Sequence, residues 1–131
     1  MIRKVWESKK SGTVPTFWGD GSPLREFTYS DDIAAALLYV LENYNEPVPI
    51  NIGSTGEISI KDLVGLICES LDYAGEIKWD TSMPSGQLRK PSSNQAFLDL
   101  GWDEKRYTPL EAGIKKTCLW FANAYPSVRG V

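Results

Sequence analysis

The chain has 131 residues, 42% hydrophobic and 24% charged, which suits one soluble domain with a packed core. Its 14 Lys and Arg against 17 Asp and Glu leave a net charge of −3, so there is no basic field for wrapping nucleic acid. No apolar run reaches the roughly 18–20 residues that cross a bilayer, and the first ten residues lack the apolar core of a secretory signal.

Residues 2–10 read as the end of a basic amphipathic helix, stopped by Ser11-Gly12. A short strand is predicted around Pro15 to Trp18. The Asp20-Gly21 pair then turns the chain, hairpin-fashion, into a second extended piece from Arg25 to Thr28. Ser30 reads as an N-cap, with Asp31 and Asp32 set against the positive end of the following helix. That helix, Asp31 to Asn43, carries Ile33, Ala34, Leu37, Leu38, Val40 and Leu41, with Tyr44 just beyond. The apolar surface is wider than one stripe, so cover on two sides is expected.

After Pro47-Val48-Pro49, a strand is predicted at Ile50 to Gly53. Ser59 with Asp62 then opens a helix running to about Tyr73 and stopped by Gly75. Glu76 to Asp80 alternates and reads as a strand, Thr81 to Pro91 as a loop, and Ser93 to Leu100 as a short helix closed by Gly101-Trp102. For the last helix the start signal is Thr108 as N-cap, Pro109 in the first turn and Glu111 completing the box. Its apolar face is Leu110, Ile114, Cys118, Phe121 and Tyr125. Cys68 and Cys118 both fall within helical apolar patterns, which predicts buried thiols in a reducing compartment rather than a disulfide.

The sequence offers little for catalysis. With no histidine, neither a nucleophilic triad nor an ordinary zinc site is expected. Asp31 and Asp32 are neighbours on a helix and point about 100° apart, which fits a helix start better than a carboxylate pair. Gly53-Ser54-Thr55-Gly56 lies between a strand and a helix but lacks a third glycine and the P-loop lysine, so it reads as a connection. Binding groups are plainer. Trp18 offers a flat π-face and Arg25 a planar fork for phosphate, while Arg3 and Lys4 on the first helix and Arg89-Lys90 in the loop add cations. An aromatic face with separated cations suits a nucleoside diphosphate.

Trp18-Gly19 through Arg25-Glu26-Phe27, then Asp31-Asp32-Ile33-Ala34 and Asn51-Ile52-Gly53, resemble the C-terminal half of extended short-chain dehydrogenase/reductases that act on sugar nucleotides. Four later features narrow the resemblance: Ser59 to Leu63, Pro84-Ser85-Gly86-Gln87-Leu88-Arg89-Lys90, Leu100-Gly101-Trp102 and Thr117 to Phe121. Together they are similar to the GDP-L-fucose synthase family, NADPH-dependent epimerase–reductases of GDP-4-keto-6-deoxymannose. The resemblance implies a small mixed α/β C-terminal domain spanning residues 1–131, without the family's N-terminal Rossmann domain. By position, it implies nucleotide-sugar contacts at Trp18 and Arg25 and substrate-site cations at Lys4 and Lys90. Ser85 stands where the family commonly has an aspartate that contacts substrate. The family's glycine-rich NADP loop, its Ser and Tyr-x-x-x-Lys reductase group and its epimerising Cys and His have no counterpart here. The resemblance therefore implies a GDP-sugar-binding portion that is inactive alone and has no cofactor of its own. A homodimer or a cofactor-domain partner and a cytoplasmic location are also implied. Two other readings stay open: a non-enzymatic protein acting through association, and a domain of a related nucleotide-sugar epimerase or dehydratase.

Overall fold

Apolar residues at helical spacing within a basic segment form the first helix, α1 (Ile2–Ser11), which buries Val5. Gly12 ends it in the left-handed region at φ 72°, where its N–H reaches the Ser8 carbonyl at 2.9 Å. A computed structural model describes residues 1–128 of the chain. The remaining elements are β1 (Thr16–Trp18), β2 (Leu24–Glu26), α2 (Ser30–Asn43), β3 (Glu57–Ser59), α3 (Ile60–Ser70), β4 (Lys78–Asp80), α4 (Gln95–Asp99) and α5 (Leu110–Ala124), with a 3-10 turn at Glu104–Arg106. The fold is mixed α/β, as the sequence predicts.

The strands make two small sheets. β1 pairs in parallel with β4, Phe17 opposite Trp79, and β2 pairs antiparallel with β3, Arg25 opposite Ile58. Asp20-Gly21 is therefore no hairpin turn: β1 and β2 belong to different sheets. Asp20 instead closes a local turn, its Oδ1 accepting from the Ser22 amide at 2.9 Å and hydroxyl at 2.7 Å. The predicted strand at Ile50 to Gly53 is absent, because those residues form no ladder and their isoleucines serve as packing. β3 falls instead just before α3.

One core gathers Val5, Phe17, Leu63, Val64, Ile67, Leu71 and Cys118 from α1, β1, α3 and α5. The other stacks Phe97 on Trp102 at 5.1 Å between ring centroids, closed by Ala36, Tyr39 and Tyr107. Cys118 is fully buried and Cys68 half-buried, and both are free thiols. Burial first, and the neighbouring Cys68 second, push the Cys118 thiol up to about 11, which keeps it protonated and inert at neutral pH.

The predicted caps meet different fates. Ser59 caps α3 as expected, its Oγ accepting from the Asp62 amide at 3.0 Å. That helix ends at Ser70, three residues before the predicted Tyr73, and Asp72 follows at φ 49°. Ser30 is the first helical residue of α2, and Tyr29 occupies the cap position. Pro109, rather than Thr108, occupies the cap of α5. The reason is a long-range tie: Asp32 accepts from the Thr108 amide at 2.7 Å and from its hydroxyl at 3.0 Å, locking the starts of α2 and α5 together. Nor is α2 covered on two sides. Ala36 is buried, but Leu37, Leu38 and Leu41 are 55%, 63% and 79% exposed.

Gly19 decides how closely the later loop approaches β1. It has φ 73°, and a Cβ built there would lie 2.5 Å from Ser85 Oγ and 2.8 Å from Ser85 Cα. Gly12 has nearly the same φ but nothing within 4 Å. Gly12→Ala should therefore cost only left-handed strain, about 1 kcal/mol, whereas Gly19→Ala adds overpacking and should cost about 2–4 kcal/mol. Urea unfolding of the two variants measures the difference, and equal losses would refute the contact.

Candidate nucleotide-sugar site

The loop predicted at Thr81 to Pro91 is irregular, but it folds back along the ends of β1 and β2. Gly19 N–H donates to the Asp80 carbonyl at 2.8 Å, and Ser85 rests against Gly19. Farther on, the Leu24 amide of β2 donates to the Leu88 carbonyl at 2.8 Å, so the loop occupies part of the strand's edge away from β3. Arg25 Nη2 donates to the Gln87 carbonyl at 2.9 Å, and Arg89 Nε donates to Glu57 Oε2 at 2.7 Å. Ser92 then closes the run, its hydroxyl donating to Glu26 at 2.6 Å.

Three of the five predicted site residues come together through this fold-back. Trp18 ends β1 and is 63% exposed, because strand alternation buries Phe17 and turns Trp18 to the opposite face. Ser85 packs against Gly19, next in the chain to Trp18. Arg25 reaches the same loop two residues later, near Gly86. Lys4 stands at the other end of β1, its Nζ donating to the Thr16 carbonyl at 2.9 Å and lying 5.5 Å from the centre of the Phe17 ring. Lys90 is exposed between the Arg89 and Ser92 anchors.

Charge pairing sets Arg3 and Arg89 apart from Lys4, Arg25 and Lys90. Among the described residues, the ion pairs are Arg3–Glu7 and Arg89–Glu57. Arg25 and Lys4 bond only to carbonyls, and Lys90 has no carboxylate partner there. A carbonyl orients a guanidinium without neutralising it, so Arg25 is aimed but still fully cationic. Arg3 and Arg89, which the sequence offers as cations beside the others, are paired with glutamates. Of the acids nearby, Asp80 accepts from Ser82, and the Ser22 amide and hydroxyl hold the exposed Asp20 carboxyl below the usual carboxylate range. What remains on this edge is the exposed Trp18 indole and, bonded to the same loop, an Arg25 with no carboxylate partner, groups chemically suited to a nucleotide and its phosphates.

No comparable cradle forms at Gly53 to Gly56. The Ser54 amide donates to Thr28 Oγ1 at 2.9 Å, and the Gly53 carbonyl accepts from Asn94 and Tyr107 at 3.0 Å each. These groups tie α2, α4 and the 3-10 turn together, so they do not fit a dinucleotide pyrophosphate. Among the described residues there is no metal-binding cluster and no helix long and apolar enough to cross a membrane. Sequence reasoning missed a hollow of about 540 Å³ lined by residues such as Ile2, Phe27, Leu63, Ile67, Ile114 and Phe121. It is apolar, and none of the five predicted residues lines it.

Residues 1–53 match the profile of the NAD dependent epimerase/dehydratase family. The chain is 42% identical to a GDP-L-fucose synthase of Sinorhizobium fredii over 89% of its own length and 37% of the relative's. It is 37% identical to a GDP-L-fucose synthase of Dictyostelium discoideum over 98% of its length and 41% of the relative's. Its fold matches the crystal structure of a GDP-L-fucose synthetase from Naegleria fowleri bound to NADP, with a TM-score of 0.93 and 36% identity, covering 98% of this chain and 40% of that one. The chain thus spans about two fifths of the length of these relatives. Sequence and fold agree that it belongs to the NAD-dependent epimerase/dehydratase family, as a portion of the GDP-L-fucose synthase type.

Proposed function

We propose that residues 1–131 form a single domain that binds the GDP-sugar of a GDP-L-fucose-synthase-like reaction, either GDP-4-keto-6-deoxymannose or GDP-L-fucose. Trp18 contacts the nucleotide, Arg25, Lys4 and Lys90 neutralise the diphosphate, and Ser85 edges the substrate. The observation that carries this reading is the approach of the 81–91 loop, which sets Ser85 against Gly19 beside the exposed Trp18 and is bonded at Gln87 by Arg25, a cation with no carboxylate partner. Hydride transfer requires a nicotinamide and a proton donor, and this sequence contains neither a Tyr-x-x-x-Lys group nor a histidine. The stretch is proposed to hold substrate without reducing it.

Calorimetry with GDP checks the assignment. Arg25→Ala should weaken GDP binding by roughly 10–100-fold, the scale of one lost hydrogen bond to a charged group, and added salt should weaken the wild type. Equal affinities for wild type and variant would contradict the role of Arg25. Tighter binding of UDP or dTDP than of GDP would point instead to a related epimerase or dehydratase.

A second reading rests on the bare face of α2, where Leu37, Leu38 and Leu41 stand 55%, 63% and 79% exposed. Such a face suits association with another copy or with a cofactor-binding chain. Light scattering of the isolated chain should give a mass above the monomer that falls in Leu37→Glu/Leu41→Glu. A strict monomer that binds no hydrophobic dye would remove this reading.

A further inference from the structure

Glu26 and Glu57 face each other directly across the β2–β3 pair. Carboxylates at directly opposed positions share one face of the sheet a few ångströms apart and repel. Glu57 is also poorly placed to rely on water: its side chain is only 12% exposed, and its Oε1 has no hydrogen-bond partner among the described residues. The loop answers both charges. Arg89 donates to Glu57 at 2.7 Å and also feels the charge of Glu26, while the Ser92 amide and hydroxyl bond to Glu26 at 3.1 and 2.6 Å. These two anchors bracket Lys90, and the Leu24–Leu88 and Arg25–Gln87 bonds continue the attachment toward Ser85.

We propose that the opposed Glu26–Glu57 pair is a clamp for the loop and that Arg89 is a positioning residue, fixing where Ser85 and Lys90 stand relative to Trp18 and Arg25. The proposal rests on the reading that Ser85 and Lys90 border the GDP-sugar. Two properties separate Arg89 from the proposed phosphate ligands. Its guanidinium is already neutralised by a nearly buried carboxylate, and removing it would leave that carboxylate uncompensated. Arg25, bonded only to carbonyls, has no such duty.

The test uses Arg89→Gln and reads the loop without ligand, by 15N relaxation of the amides of residues 85–90. In the wild type these amides should be as ordered as the strands. In the variant their order parameters should fall below about 0.6 while those of α3 and α5 stay rigid. GDP affinity should drop roughly tenfold, the cost of ordering the loosened loop on binding, yet its dependence on salt should keep the wild-type slope, because the bound complex retains Lys90 and Arg25 on the phosphates. An unchanged loop in the variant would overturn the clamp, and a changed salt slope would make Arg89 a direct ligand and overturn its positioning role. Should Arg89→Gln not fold, the uncharged Glu57→Gln/Arg89→Gln pair takes its place with the same expected loosening and the same overturning result. If the wild type binds no GDP, the functional reading fails while loop order still decides the clamp.

Discussion

The structure turns on the approach of the 81–92 loop to the ends of β1 and β2. Gly19 permits it, since any Cβ there would collide with Ser85. The Leu24–Leu88 and Arg25–Gln87 bonds fasten it, and the glutamates of β2 and β3 hold its far end. Without this fold-back, Trp18 would be a lone exposed aromatic and Arg25 an ordinary strand residue. With it, an indole, an aimed guanidinium and a polar loop share one edge of the molecule.

The helices supply the platform rather than the chemistry. α1, α3 and α5 enclose the core that holds Phe17, and burying Phe17 turns Trp18 outward through strand alternation. The Asp32–Thr108 tie binds the starts of α2 and α5. The second, aromatic core fixes α4, into which the loop runs. Two surfaces remain outside this scheme, the leucine face of α2 and the hollow bounded by Leu63 and Ile114. Both are apolar, and both differ in character from the edge where the loop meets Trp18 and Arg25.

Legibility in the sequence followed the range of the interaction. α3 could be read from its spacing and from Ser59, whose partner Asp62 is three residues away. Thr108 looked equally sound as a cap, but its hydroxyl is bonded to Asp32, 76 residues distant, and no local pattern records that competition. Ile50 and Ile52 resembled a strand because apolar residues between loops fit a strand or a packing insert equally well. Trp18 and Arg25 were visible as residue types suited to a nucleotide. Which cations are spent on carboxylates was not visible, since Arg89 finds Glu57 32 residues away and Arg25 meets Gln87 across 62. That partition removes Arg3 and Arg89 from the cations that could serve a ligand.

The most direct test of the account is a 15N NMR titration of the chain with GDP, following backbone amides, the indole N–H groups and the arginine Nε–H groups. The account predicts that the large shifts cluster at the Trp18 indole, the Arg25 side chain and the amides of residues 85–90. Shifts centred on the apolar hollow around Leu63, Ile114 and Phe121, or no shifts at any GDP concentration, would contradict it.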